Sequence, residues 1–230
     1  MIQENTKDIK KYFIDALANE DFIMDRTGQK TIELIGASFF ADQPAIFGEP
    51  NDPYIEIEKA WYESQSTNVN WMADTYNRNV PKCWLSSANK FGEINSNYGY
   101  LIYSDKYHHQ YGQVLDELLA NPDGRRATMI YTRPSIWMEY NEDDKNDFIC
   151  TNAVTYYIRD NCLQCVVQMR SNDVVFGYKN DYAWQLYVLE QLVKDYNDCR
   201  EKTTPIITAG DIIWQVQNLH VYERHFHLVK

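Results

Sequence analysis

The 230-residue chain carries 22 basic against 33 acidic residues, a formal net charge of −11 at pH 7. That balance disfavours direct nucleic-acid binding, in which phosphate neutralisation dominates affinity, but leaves room for a small anion in a local basic pocket. Length and apolar content suit one domain over residues 1–230 with a substantial core. No run reaches the length of a membrane span, and the polar start Met1-Ile2-Gln3-Glu4-Asn5-Thr6-Lys7-Asp8 is unlike a secretory leader, so a cytoplasmic protein is expected.

Ile9, Tyr12, Phe13, Ala16 and Leu17 recur at helical spacing and predict a helix over 6–19. Residues 31–40 read as a strand. Asn51-Asp52-Pro53 supplies a capping side chain and a proline for the first turn of a helix running through Glu58 and Trp61. Residues 107–120 predict another helix, with Val114, Leu115, Leu118 and Leu119 on one side and Asn121-Pro122-Asp123-Gly124 as its stop. Strands follow at 127–132, 149–158 and 163–169, the last two joined as a hairpin through Arg159-Asp160-Asn161. A long helix over 180–196 and a strand over 212–222 complete the chain. Strands and helices without a regular βαβ rhythm argue an α+β fold.

Five cysteines in a chain of this length do not suggest a disulfide framework. Cys162 and Cys165 have the CxxC spacing of redox and zinc sites but stand in a strand pattern without a second pair, and read as strand residues. The acidic run Glu139, Glu142, Asp143, Asp144 and Asp147 reads as a solvated loop. His220, Tyr222, His225 and His227 form an HxYxxHxH string, which we read as no metal site.

The chemistry concentrates elsewhere. Arg170 and Ser171 suit a phosphate, Cys150 is a candidate thiolate nucleophile, and Asp181 is a carboxylate placed to read a pyrimidine ring. Together with Asp25-Arg26-Thr27-Gly28, Glu58 three residues before Trp61, Asn121 through Arg126, and His220-Val221-Tyr222, this set resembles the thymidylate synthase superfamily over nearly the whole chain. The resemblance implies a mixed sheet packed with helices and a homodimer formed through that sheet. It assigns Cys150 as covalent nucleophile and Glu58 as catalytic carboxylate. It places Arg26, Arg125, Arg126, Arg170, Ser171 and Asn172 at the nucleotide, with Arg125 and Arg126 reaching across the dimer to the partner's phosphate. His220 and Tyr222 would hold the sugar 3′-hydroxyl, and Trp84 and Asp173 the folate.

The chain departs from the synthase pattern at Ile149-Cys150-Thr151, where the family has Pro-Cys-His, at Ser87, where many synthases have a second Trp, at Asn172, which replaces a Cys, and at Asp181, which replaces an Asn. With Ile35 through Phe39, Gly92 through Gly99, Ile130 through Ser135 and Asn180 through Trp184, the chain is similar within that superfamily to the deoxycytidylate hydroxymethylases of T-even bacteriophages. That resemblance implies dCMP and 5,10-methylenetetrahydrofolate as substrates, 5-hydroxymethyl-dCMP as product, and no metal. The chemistry agrees: thiolate addition at ring position 6 makes position 5 nucleophilic, and water added after one-carbon transfer gives the hydroxymethyl group. Cys150 is expected to be activated by nearby guanidinium groups that lower its pKa. A carboxylate at Asp181 accepts from the cytosine amine and repels the uracil carbonyl. Thymidylate synthase-type methylation of dUMP, CMP as substrate, and a catalytically silent nucleotide-binding subunit stay open. The chain ends at Leu228-Val229-Lys230, where superfamily members continue into a tail that closes over the folate.

Overall fold

The computed structural model describes residues 4–26 and 28–230; residues 1–3, and Thr27 of the expected phosphate loop, lie outside the described residues. Among these, six strands form one sheet in the order β1-β2-β6-β5-β4-β3, where β1 is Ile23–Met24, β2 Lys30–Phe40, β3 Thr128–Ile130, β4 Thr151–Arg159, β5 Cys162–Asp173 and β6 Thr208–Tyr222. Every neighbouring pair is antiparallel except β5 and β6, which run parallel. Helices cover one face, and the core fills the space between them around Trp61, Trp214, Tyr131, Tyr156 and Phe39. The expected α+β architecture is thus the observed one. No helix among the described residues is long and apolar enough to cross a membrane.

The first helix, α1 (Thr6–Ala18), starts at a reciprocal cap between Asn5 and Asp8 and buries Ile9, Phe13 and Ala16. α2 (Asp52–Glu63) starts where Asn51 accepts from the Tyr54 N–H, as the sequence predicts, and carries Glu58 and Trp61 on its buried face. Its position is set by the segment 95–99. Asn97 caps α5 (Tyr98–Tyr103) through its side-chain oxygen and donates its amide to the Trp61 carbonyl. Gly99 then meets the α2 end so closely that an added Cβ would lie 1.8 Å from the Tyr62 carbonyl oxygen.

Several boundaries differ from the sequence reading for local reasons. The helix expected over 107–120 begins only at Gln110 (α6, Gln110–Ala120), because His108 and His109 both adopt left-handed backbone. The strand expected over 127–132 shortens to β3: the Tyr131 and Thr132 N–H groups both point at the Asn152 carbonyl, next to an irregularity in β4. Ile149 and Cys150 precede β4 because the Arg170 side chain takes the Phe148 and Ile149 carbonyls. The β4–β5 turn is the predicted hairpin, with Asp160 and Asn161 both at positive φ, as a two-residue loop requires.

Past Met169, β5 continues to Asp173 through its parallel pairing with β6, Ser171 opposite Asn218 and Asp173 opposite His220. α8 (Gly177–Cys199) starts earlier than the periodicity indicates, because the Asp173 Oδ1 accepts from the N–H groups of Val175, Phe176 and Gly177. Short helices α3 (Asn70–Tyr76), α4 (Lys82–Ser87) and α7 (Ile136–Glu139) fill the connections. The acidic run is not uniformly solvated. Asp147 is buried and accepts from the Asn95 and Ser96 N–H groups and the Ser96 hydroxyl, and Glu139 pairs with Arg133. Three donors converge on this carboxylate and offset part of its desolvation, and burial still raises it, which charge density along the sequence does not reveal.

Gly99→Ala should destabilise the protein by about 3 kcal/mol or more, since the new methyl group meets backbone rather than a movable side chain. Chemical denaturation read by tryptophan fluorescence gives the value; a midpoint equal to that of the unaltered protein would show that α5 and α2 are not held at this approach.

Candidate active site

A cavity of about 900 Å³ opens beside β4 and β5, lined among others by Arg26, Arg133, Asp147, Cys150, Asn152, Arg170 and Gln217. Cys150 sits half-buried in it, on the turn that enters β4. The Arg170 Nη2 lies 3.5 Å from the Cys150 Sγ, while its Nε donates to the Ile149 carbonyl at 3.1 Å and its backbone N–H to the Cys150 carbonyl at 2.9 Å. One guanidinium therefore fixes both the sulfur's position and the strand entry behind it.

The expectation of a thiol activated by guanidinium groups needs correction. Burial pushes the Cys150 thiol up to about 11; Arg170 opposes this, and the carboxyl groups of Asp181 and Asp147 add to it. At neutral pH the resting sulfur stays a thiol, because one cation does not offset its desolvation.

Asp181 lies half-buried near the start of α8 and accepts a 2.7 Å hydrogen bond on Oδ2 from the Asn172 Nδ2. Burial, then the neighbouring Glu58 and Asp173, push its carboxyl up to about 8 against the Asn172 donor. Asn172 is buried on β5 and accepts in turn from the Trp214 indole N–H of β6 at 3.2 Å. Glu58 is buried on α2, and its carboxyl is also raised by burial. Its Oε1 accepts from the Tyr54 hydroxyl and, at 3.0 Å, from the Trp84 indole N–H; Trp84 also donates to the Tyr54 oxygen at 3.0 Å.

Asp173, His220 and Tyr222 gather at the far end of the β5–β6 pair. The Asp173 Oδ2 is buried with no hydrogen-bond partner, and the His225 Nδ1 stands 3.8 Å from it, beyond hydrogen-bond length. Burial alone would raise this carboxyl, but His225, His220 and the Phe176 N–H hold it below the ordinary range. Burial lowers the His220 imidazole, whose ring meets Tyr222 edge-on. Ser171 follows Arg170 on β5. Arg125 and Arg126 do not line the cavity: both are exposed before β3, and Arg126 pairs with Glu117 of its own chain. Cys162 and Cys165 lie on β5, and among the described residues no group of three or more His, Cys, Asp and Glu side chains is placed to hold a metal ion.

The sequence reading misses Tyr54, Trp214, Arg133 and Asp147. Tyr54 had a usable signal, one helical turn before Glu58. Trp214 had none, since only strand pairing brings it to Asn172.

A sulfur beside an arginine at the cavity and two raised carboxyl groups behind it define a class. The chain belongs to the thymidylate synthase family, whose model, described as thymidylate synthase, matches residues 11–230. It is an enzyme, and the family chemistry is one-carbon transfer to a pyrimidine nucleotide. Over 214 residues it is 54% identical to the deoxycytidylate 5-hydroxymethyltransferase of Enterobacteria phage T4, covering 93% of this chain and 85% of that protein; the phage T2 protein matches equally. A thymidylate synthase of Buchnera aphidicola is 25% identical over 216 residues, 90% of this chain and 75% of that one. The crystal structure of thymidylate synthase from T4 phage shares the fold, with a TM-score of 0.74 at 21% identity over 96% of this chain and 78% of that chain.

The raised Asp181 carboxyl has a consequence for stability. A folded-state value near 8 lies well above that of an unfolded aspartate, so the folded form retains a proton that the unfolded form loses. The stability this supplies is complete below about pH 4 and is lost as pH rises through about 8. Asp181→Asn lacks the titration, so its stability advantage over the unaltered protein should grow between pH 5 and pH 9. Urea midpoints at both pH values test this, and a gap that stays constant would place the Asp181 carboxyl in its ordinary range.

Proposed function

We propose that the chain transfers a one-carbon unit from 5,10-methylenetetrahydrofolate to position 5 of dCMP, with addition of water, giving 5-hydroxymethyl-dCMP and tetrahydrofolate. The observation that carries this reading is Asp181, a carboxyl held by Asn172 where synthases carry an amide. It matches a cytosine, whose amine donates to the ionised group that the carboxyl becomes as pH rises through about 8. Against uracil the same carboxylate meets a carbonyl oxygen and leaves a buried charge unpaired.

The cavity supports nucleotide binding of matching polarity. Arg26 and Arg170 line it as anion donors, and Ser171 follows on the same strand. Cys150 adds to ring position 6, giving up its proton as the bond forms, and Arg170 stabilises the charge that passes through the sulfur. Glu58, with Oε1 held by Tyr54 and Trp84, orders the water that hydrates the exocyclic carbon and relays its proton. His220 and Tyr222 hold the sugar.

The folate supplies the one-carbon unit at the oxidation level of formaldehyde. The residues present fit it: the orphaned, buried Asp173 Oδ2 calls for an N–H donor of the kind a pterin carries, and Trp84 offers a ring beside Glu58. The reading includes a single catalytic domain, action in the cytoplasm, and a homodimer closed by the sheet face that the helices leave bare, where Ile35 is 70% and Ile130 58% exposed. In such a dimer the exposed Arg125 and Arg126 serve the partner's phosphate.

Incubation with methylenetetrahydrofolate and dCMP, CMP or dUMP, followed by product mass, tests the reaction. Hydroxymethylated dCMP is expected; a methylated dUMP product alone would overturn it. Cys150→Ala should abolish turnover and exchange of the position-5 hydrogen while dCMP binding persists. Asp181→Asn should move the kcat/KM ratio of dCMP to dUMP toward dUMP by on the order of 10⁴-fold, the discrimination available from a mismatched buried hydrogen-bonding group.

Shared arginines are tested by mixing Arg126→Ala with Cys150→Ala protein. Hybrid dimers should regain one intact site and show activity that neither parent has. Proven subunit exchange with no recovery would return both arginines to surface roles.

A further inference from the structure

We infer that Trp214 is a specificity-positioning residue: its indole N–H fixes which way the Asn172 amide faces, and so obliges Asn172 to present its donor to Asp181. This rests on the proposed reading of Asp181 as the group that meets the base.

The argument starts from the symmetry of an amide. Asn172 could present either its oxygen or its nitrogen to Asp181, with almost the same shape and opposite hydrogen-bond polarity. An indole N–H can only donate, so Trp214 accepts only the amide oxygen as its partner, bonded here at 3.2 Å. The amide nitrogen is left to face the Asp181 Oδ2, 2.7 Å away. Trp214 is fully buried on β6 and Asn172 nearly so on β5, so no water competes for the bond between them. A β5–β6 pairing thus dictates the polarity of a contact at the start of α8. Gly177 leaves room for this amide: a Cβ added there would lie 3.1 Å from the Asn172 Nδ2.

The direction of control matters because Asp181 has opposing neighbours. The carboxyl groups of Glu58 on α2 and Asp173 on β5 face it, as do the phenols of Tyr62 on α2, Tyr98 on α5 and Tyr131 after β3, and the Cys150 thiol. The negative groups in this set favour the neutral acid, and the Asn172 donor opposes them. With the amide reversed, its oxygen would face Asp181 and could be met only by a protonated carboxyl. Its one proton then goes to Asn172, and its other oxygen becomes an uncharged acceptor that meets the uracil ring N–H as well as the cytosine amine, so reversal erodes the discrimination against uracil.

Trp214→Phe removes the N–H and keeps a ring in the core. We expect the kcat/KM ratio of dCMP to dUMP to fall on the order of tenfold or more, the range of one hydrogen bond to a charged group. The acidic limb of kcat/KM for dCMP should move to higher pH. In an Asp181→Asn background the substitution should leave the ratio unchanged, because the amide introduced there can itself turn to match either face of Asn172. A purely structural loss would lower both nucleotides together and leave the limb in place. Asn172→Ala, which interrupts the relay without touching Trp214, should move ratio and limb in the same directions and serves if the Trp214 variant does not fold. A folded Trp214→Phe enzyme with unchanged ratio and limb would overturn the inference, as would an equal change of ratio in the Asp181→Asn background. If Asp181→Asn itself leaves the ratio unmoved, the reading of the base fails and the inference with it; a silent Trp214 beside an intact Asp181 effect sinks the relay alone.

Discussion

The Arg170 guanidinium organises the centre of this molecule. Its nitrogens satisfy the Phe148 and Ile149 carbonyls just where the chain enters β4, and the same group reaches the Cys150 sulfur. Backbone carbonyls left without partners in a buried turn would be costly, so the turn depends on the cation. The cation in turn is held by the continuation of β5 along β6. Reactive group, turn and strand pairing are therefore one arrangement, and none of them is adjustable alone.

Around that arrangement the protein buries more negative charge than positive. Asp147 lines the cavity, Asp181 acts on the sulfur from behind, and Glu58 and Asp173 act on Asp181, whereas Arg170 is the cation that touches the sulfur. Different solutions keep these carboxyl groups tolerable. Asp147 and Asp173 gather backbone donors and Glu58 a phenol and an indole; burial still raises Asp147 and Glu58, Asp173 is held low, and Asp181, buried with a single amide, is pushed up to about 8. Environment, not residue type, separates their proton affinities. The cavity thus has the cations Arg26 and Arg170 in its lining, with the proton-holding Asp181 acid close enough to act on the Cys150 sulfur.

Long periodic elements were legible from the sequence because their signals are local. The capped start of α2, the two-residue β4–β5 turn and the apolar face of α8 each follow from neighbouring residues. Cys150, Glu58 and Asp181 are singled out in the sequence through motif order alone. What escaped was set by distant partners. Asp147 reads as one more acid in a charged run until the Asn95-Ser96 backbone reaches it, and Trp214 reads as a core ring until β5 lies alongside. The expected depression of the Cys150 pKa failed for the same reason: motif reading counts nearby arginines but not desolvation or the carboxyl groups behind the sulfur.

The lone parallel pairing in the sheet bears on how the chain reaches this state. β5 and β6 align only after the intervening α8 has crossed over, and that pair holds Arg170, Asn172, Asp173, Trp214 and His220 in register. Hairpins such as β4–β5 close quickly from local contacts, whereas a parallel pair waits on a long loop closure and is slow to form. A chain that has made the hairpin but not the crossover already carries its sulfur yet lacks the neighbours that β6 brings. The Arg170–Cys150 contact belongs to the hairpin side, whereas the Asn172–Trp214 bond and the Asp173–His220 register exist only once β6 has paired, so the arrangement is completed at the last topological step of folding.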